Sequence, residues 1–340
     1  MTNIAVLETE TRTPGKKDSN RHRGAIRLVS TKNMSRESWL DIRNQGIGSS
    51  DAACVLGLSP YKSALELWLE KTGRKAADDL SGNEAVFWGT TLEPVIAAIY
   101  AERTGTTVRR VNAVLRHPEH PFMMVNLDRE VRHPTDGRGI LEVKTAGLHS
   151  AHLWDDGVPE VYQCQVLHQL AVTGKPWADV AVLIGGQDFR VFRIYPDEEK
   201  IHALIEAERD FWMRVEFDIA PEVDGSESGN RALGLMYPED DGTELDFSED
   251  VRMNALFSEL LVSREVAEEA TQHAKLLRQR IQKLMGNART ALFANGRVNW
   301  RMVKGSTSTD FKRLAEEHPE LVKRYETIKE GHRRFVVMAN

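Results

Sequence analysis

FMMVNLDREV, residues 122 to 131, and GILEVKTA, residues 139 to 146, are two apolar runs on either side of the polar turn HPTDGRG. Both have the composition of sheet strands, and each is broken by charge: Asp128 in the first, Glu142 and Lys144 in the second. Side chains two apart on a strand point the same way, so Glu142 and Lys144 share a face while Leu141 and Val143 enter the core. The turn links antiparallel neighbours, which can set Asp128 beside that pair. Charge in an otherwise apolar strand is costly unless it is paired or used. One use is a hard cation, since magnesium is held by one or two carboxylates together with phosphate oxygens and water. A lysine next to such a site can hold or help deprotonate a water for attack on phosphorus. The bland alternative is a cross-strand ion pair on a solvated face, the reading Glu-x-Lys would receive if it stood alone.

The same change of period organises the rest of the chain. Ser35 followed by Glu37, Trp39 and Ile42 has the signature of a capped helix, stopped by Gly46. The glycine-serine turn Gly46–Ser50 leads into helices at about 51–56 and 63–72, and a longer helix is predicted over 84–104 with Pro94 inside it or at a break. Strands are expected at 107–116, 122–132 and 139–145, a helix at 159–173, a hairpin around Gly185 and Gly186, and a helix at 197–217. The expected class is mixed α/β, a central mixed sheet flanked by helices over residues 31–218. Residues 1–30 are polar and basic, which predicts a disordered arm. Residues 219–248 are acidic and rich in Gly, Pro and Ser, which predicts a linker or loop. A long helix over 249–285 should open a C-terminal region, 249–340, with short strands near 299–303 and 334–337 around a helix at 310–316.

At 340 residues, 41% hydrophobic and 28% charged, the chain can bury one large core or two modest ones. No apolar run is long enough to span a bilayer and no N-terminal apolar segment resembles a secretory signal, so a cytoplasmic protein with no membrane partner is expected. Cys54 and Cys164 are the two cysteines, too few for a disulfide framework, a Cys-ligated zinc or an iron–sulfur cluster. The net charge of −6 conceals segregation. Residues 219–250 hold ten acids and one base, whereas 251–340 hold seventeen bases and ten acids, so the overall sign does not exclude a nucleic-acid partner.

From about Ser35 to Trp212 the chain resembles the PD-(D/E)XK nuclease superfamily, and within it the YqaJ-type viral recombinase and phage lambda exonuclease family. The resemblance is carried by the order of several motifs. Trp39-Leu-Asp-Ile-Arg43 and Gly46-Ile-Gly-Ser-Ser-Asp51 open it, followed by Trp88-Gly-Thr-Thr-Leu-Glu-Pro94, the Asp128 strand, Leu141-Glu-Val-Lys144, and Tyr162-Gln-Cys-Gln165. It implies a restriction-endonuclease-like core in which Asp128 and Glu142 bind Mg2+, for which Mn2+ substitutes, with the Val143 carbonyl as a further ligand. Lys144 would position the water, Glu93 would be the additional acid near the metal, and Gln165, rather than its neighbours Gln163 and Gln169, would support lysine and water. Arg43, Ser50, Ser49 and Trp39 would form the pocket for the 5′ phosphate of a DNA end. That assignment agrees with the suitability of an arginine fork and a Gly-Ser turn for an anion. Asn126 departs from the lambda enzyme's serine before the metal aspartate, and His149 and Ser150 stand where that enzyme has a second phosphate-contacting arginine. The activity implied is 5′ to 3′ degradation of double-stranded DNA to leave a 3′ single strand for an annealing protein, by a homo-oligomeric ring, commonly a trimer. The competing reading is a DNA-end-binding recombination protein that keeps the fold without catalysis, against which the intact Asp128, Glu142 and Lys144 speak.

Overall fold

In the computed structural model, which describes residues 24–327 and 331–338, β1 (Ile26–Ser30) precedes α1 (Arg36–Arg43), whose N-cap Ser35 hydroxyl accepts the Ser38 N–H at 3.1 Å. Then come β2 (Ile47–Gly48), a single 3-10 turn at Ser49–Asp51, α2 (Ala52–Val55), α3 (Ala64–Lys71) and α4 (Glu84–Thr104). Pro94 lies inside α4 without ending it, and the helix stops at Gly105, which takes the left-handed conformation at φ 65°. The strands β3 (Thr107–Arg109), β4 (Ala113–Arg116), β5 (Met123–Val125), β6 (Arg129–His133) and β7 (Gly137–Ala146) follow, then α5 (Glu160–Thr173), β8 (Ala178–Ile184), β9 (Asp188–Ile194), α6 (Glu198–Glu216) and α7 (Glu227–Met236).

These elements form the first of two units, ending at Met236. Its strands make two sheets. A five-stranded mixed sheet has the order β3-β6-β7-β8-β9, with β7 and β8 parallel and the other pairs antiparallel. A four-stranded sheet has the order β1-β4-β5-β2. The division corrects two expected strands. Residues 107–116 break at Arg110–Asn112, and 122–132 break at Asn126–Asp128, so each run feeds one half into each sheet. Asp128 therefore lies in a strand break, not on a strand. The end of the expected arm is also ordered, since β1 pairs with β4; residues 1–23 lie outside the described residues.

The five-stranded sheet is covered on both faces. Ile96, Ala97 and Tyr100 of α4 pack with Val131, Leu141 and Trp177 on one side, and Val166 and Leu170 of α5 pack with Ile140, Val180 and Val182 on the other. The face shared by Glu142 and Lys144 is the one beneath α5. A solvated ion pair is thereby excluded for Glu142, which is only 3% exposed.

Where composition predicts a linker, α7 packs on α3. Ala232 is fully buried, Ser228 accepts the Ser63 N–H at 2.7 Å and donates to Glu66, and Arg231 pairs with Glu66 at 3.0 Å. The second unit runs from Tyr237. It holds α8 (Val251–Met285), the hairpin of β10 (Thr290–Phe293) and β11 (Gly296–Asn299), α9 (Phe311–Glu317) and α10 (Pro319–Arg324). The expected tail strands are displaced, since residues 300–303 and 334–337 are not in a sheet. Among the described residues no helix is long and apolar enough to cross a membrane.

Candidate active site

The β6–β7 ladder begins at the pair Arg129↔Leu141, so beyond Leu141 the β6 edge of β7 has no strand partner. Asp128, in the strand break, fills the gap with its side chain: its Oδ2 accepts the Val143 N–H at 2.9 Å. A strand residue turns its N–H and C=O to the same edge, so the Val143 carbonyl faces the same gap. Next to it, Glu142 is held by three donors. Its Oε1 accepts from Lys144 Nζ at 2.6 Å and Gln165 Nε2 at 2.7 Å, and its Oε2 accepts from Gln169 Nε2 at 2.6 Å. Gln165 Oε1 in turn accepts from Lys144 Nζ at 2.9 Å. The lysine ammonium also lies 4.7 Å from the centre of the Tyr162 ring, which stacks on Trp154.

Burial, and then repulsion from Glu142 with a smaller contribution from Glu93, pushes the Asp128 carboxyl up to about 8, although the Val143 N–H opposes the shift. Burial acts against the Lys144 ammonium, but Glu142 and then Asp128 hold its pKa above the ordinary lysine value. Lys144 donates to both Glu142 and Gln165 here, an arrangement suited to orienting a water. Glu93 sits on α4 and pairs with the buried Arg129, which also donates to the Asp128 carbonyl at 2.7 Å. Its carboxylate is near enough to Asp128 to act on it, yet it is already partnered.

Arg43, at the end of α1, donates to Ser50 and, at 2.8 Å, to Asp51 Oδ1, with its guanidinium 5.2 Å from the Trp39 ring centre. Asp51 is buried and shared with Lys71 at 2.9 Å, leaving one surplus positive charge on the three side chains. Trp39, Arg43, Ser49 and Ser50 line one cavity together with Asn126 and Gln165. Gln165 is therefore common to this cavity and to the Glu142–Lys144 cluster. His149 is exposed and Ser150 donates to the Gly147 carbonyl, so neither joins the cavity.

All the residues singled out in the sequence thus fall into two adjoining groups, Asp128, Glu142, Val143, Lys144, Gln165 and Glu93 in one, Trp39, Arg43, Ser49 and Ser50 in the other. Sequence reasoning missed the partners that hold them. Gln169, set aside in favour of Gln165, lies one helical turn further on the same face of α5 and grips the other oxygen of Glu142; the i,i+4 spacing was the available signal. Asp51 pairs with Arg43 and Lys71 with Asp51, and their separations from Arg43 of eight residues or more leave no local signal. His168, fully buried, ties α5 to the Met124 carbonyl at 2.9 Å and to Glu208 at 2.8 Å.

Whether a cation suits this set follows from its chemistry. Among the described residues no three His, Cys, Asp or Glu side chains gather into a ready cage. Two crowded carboxylates and a backbone carbonyl remain, the Asp128 carboxyl pushed upward by burial and then by Glu142. That donor set matches a hard cation that keeps water and takes its other ligands from phosphate, and a positive charge would relieve the repulsion that lifts Asp128.

A family model for the YqaJ-like viral recombinase domain matches residues 38–176, a stretch that includes every residue of both groups. YqaJ of Bacillus subtilis (strain 168) is 36% identical over 314 residues, 91% of this chain and 96% of that protein, so the similarity takes in most of the second unit as well. Among solved structures, the alkaline exonuclease LHK-Exo from Laribacter hongkongensis is 23% identical with a TM-score of 0.44, covering 54% of this chain and 94% of that one. Its complex with dAMP gives 24% identity and the same TM-score and coverage. On the extent and identity of the Bacillus match, together with the domain match over the site, this chain belongs to the YqaJ-like viral recombinase family.

Proposed function

We propose that the chain is a divalent-metal-dependent deoxyribonuclease that degrades double-stranded DNA from its 5′ end, leaving a 3′ single strand for an annealing protein. The observation that carries this reading is Gln165, which touches both the Lys144–Glu142 cluster and the Arg43–Ser50 cavity. A terminal phosphate held by Arg43, Ser49 and Ser50 would sit next to groups suited to hydrolysing the first phosphodiester, and Trp39 would meet the terminal nucleotide. Membership of a viral recombinase family points the same way.

Asp128, Glu142 and the Val143 carbonyl would hold magnesium, or manganese in its place, with Glu93 beside them once released from Arg129. When bound, the ion supplies charge neutralisation at the phosphoryl oxygens and a more acidic water. The chain's own contribution is positional. Lys144 donates to the incoming water, Gln165 and Gln169 fix the rotamer of Glu142, and α5 shields the face of β7 from bulk solvent. A homo-oligomeric ring around the DNA and an annealing partner belong to the same reading, and a cytoplasmic setting accords with them.

Linear duplexes labelled at the 5′ or the 3′ end, incubated with magnesium or with EDTA beside a closed circle, test it. Early release of the 5′ label, none in EDTA and an intact circle are expected. End binding without hydrolysis in magnesium would overturn it in favour of a non-catalytic end-binding protein.

A further inference from the structure

Helix α8 runs for 35 residues, about 52 Å at 1.5 Å per residue, and Met285 is the one buried side chain along it. Leu256 is 58% exposed, Leu277 43% and Leu284 88%. An isolated helix gains little from propensity alone, so a helix this long, with Met253, Leu260 and Ile281 only half-buried and its other seam side chains in water, needs a surface to cover them. The spacing of those side chains says which kind. Met253, Leu260, Ala267, Ala274 and Ile281 recur every seven residues, and Leu256, Ser263, Ala270, Leu277 and Leu284 follow each three residues on. Five consecutive heptads with this seam describe a coiled coil, not a helix lying on a globular domain.

Charge chooses the occupant and its direction. Residues 251–269 hold four acids, Glu259, Glu265, Glu268 and Glu269, against Arg252 and Arg264, whereas residues 270–285 hold Lys275, Arg278, Arg280 and Lys283 and no acid. A parallel pair would set base against base. An antiparallel pair turns the basic end of one copy toward the acidic stretch of the other and opposes the helix dipoles. The seam is also symmetric under that reversal. About a centre between Glu268 and Glu269, Met253 faces Leu284, Leu256 faces Ile281, Leu260 faces Leu277, Ser263 faces Ala274, and Ala267 faces Ala270. Large side chains meet at both ends, and small ones meet in the middle, where the helices can approach closely. In that register Glu259 flanks Arg280 of the other copy twice over, and among the described residues neither makes an ion pair within its own chain.

We infer that α8 pairs antiparallel with α8 of a second copy of this chain, forming a two-fold dimer through the C-terminal unit. The contact stands apart from the catalytic reading and is tested without activity. Sedimentation of the full chain at micromolar concentration should give an even-numbered assembly, and Leu260→Glu with Leu277→Glu should halve its mass while the circular dichroism of the fold is kept. Cys54 and Cys164 are buried, so introduced thiols can be read against them. Leu260→Cys and Leu277→Cys co-expressed as separate chains should cross-link to each other under mild oxidation, and neither should cross-link when expressed alone. An assembly unchanged by the two glutamates, a monomeric wild type, or a self-cross-link by either single variant would overturn the inference.

Discussion

Replacing Gln169 by leucine should lower hydrolysis about 10- to 100-fold while changing stability little, and the two halves of that expectation come from different atoms of one side chain. Gln169 is fully buried, and its Nε2 donates to Glu142 Oε2 at 2.6 Å. A hydrogen bond to a charged group contributes about 1.5–3 kcal/mol, and its loss frees the carboxylate to leave the rotamer held by Lys144 and Gln165. Converted at about 1.4 kcal/mol per decade, that is about one to two decades in rate if the bond is kept in the transition state. The other end of the amide works against stability. Gln169 Oε1 is buried with no partner among the described residues, an arrangement that costs about 1–3 kcal/mol and disappears in the leucine variant. The two contributions offset each other in the folding equilibrium but not in catalysis. Turnover of a short duplex in magnesium, measured beside thermal melting, separates them. Gln163→Leu is the control, since Gln163 binds the Val158 carbonyl and not Glu142. Near wild-type turnover in a folded Gln169→Leu protein, or an equal loss in Gln163→Leu, would refute the clamp.

Four further outcomes are expected. Lys144→Ala should abolish magnesium-dependent hydrolysis with the fold intact, which turnover and circular dichroism together check; retained turnover would show that the lysine does not hold the water. Arg43→Ala should shrink the preference for a 5′-phosphorylated over a 5′-hydroxyl duplex, measured as a ratio of initial rates, because the cavity loses its surplus charge. Asp51→Asn should cost about 3–5 kcal/mol in denaturant titration, since it leaves the buried Lys71 without a countercharge. Burial pulls the Asp51 carboxyl upward but Arg43 and Lys71 together hold it well below the usual range, so the ionised pair stabilises the fold above about pH 4 and the contribution is lost as pH falls below that; the Asn variant should show a flatter acid limb. Truncation after residue 236 should leave a folded, hydrolytically competent unit, whereas truncation after residue 225 removes α7 from beneath Ser63 and Glu66 and should yield insoluble protein.

How far the sequence discloses this arrangement depends on whether the signal is local. Glu142 and Lys144 are two residues apart on one strand and needed only the strand period; α4 announced itself from Glu84 to a glycine at its end. The strand break at Asn126–Asp128 gave no such sign, because Val125 and Leu127 continue the apolar pattern through it and the chain leaves one sheet for the other without a glycine or proline. The α7 helix was hidden by its own composition: Gly229, Gly234, two serines and an acidic flank outweigh the few apolar side chains that reach α3. Arg43, Asp51 and Lys71 converge from three elements, and only tertiary structure could unite them.

The rung that Asp128 supplies to β7 makes this residue part of the sheet as well as of the site. The Val143 amide has no backbone acceptor and is protected from hydrogen exchange only while the Asp128 carboxylate stays on it. An amide in the middle of a central strand thus becomes a reporter of what a side chain is doing: anything that draws the carboxylate away should speed exchange at this one position and leave the neighbouring rungs to β8 slow. The same feature separates two substitutions often treated as equivalent. Alanine at 128 deletes a sheet bond along with the chemistry, whereas asparagine keeps an acceptor for Val143 and removes only the charge, so the asparagine variant is the one whose inactivity would speak about catalysis alone.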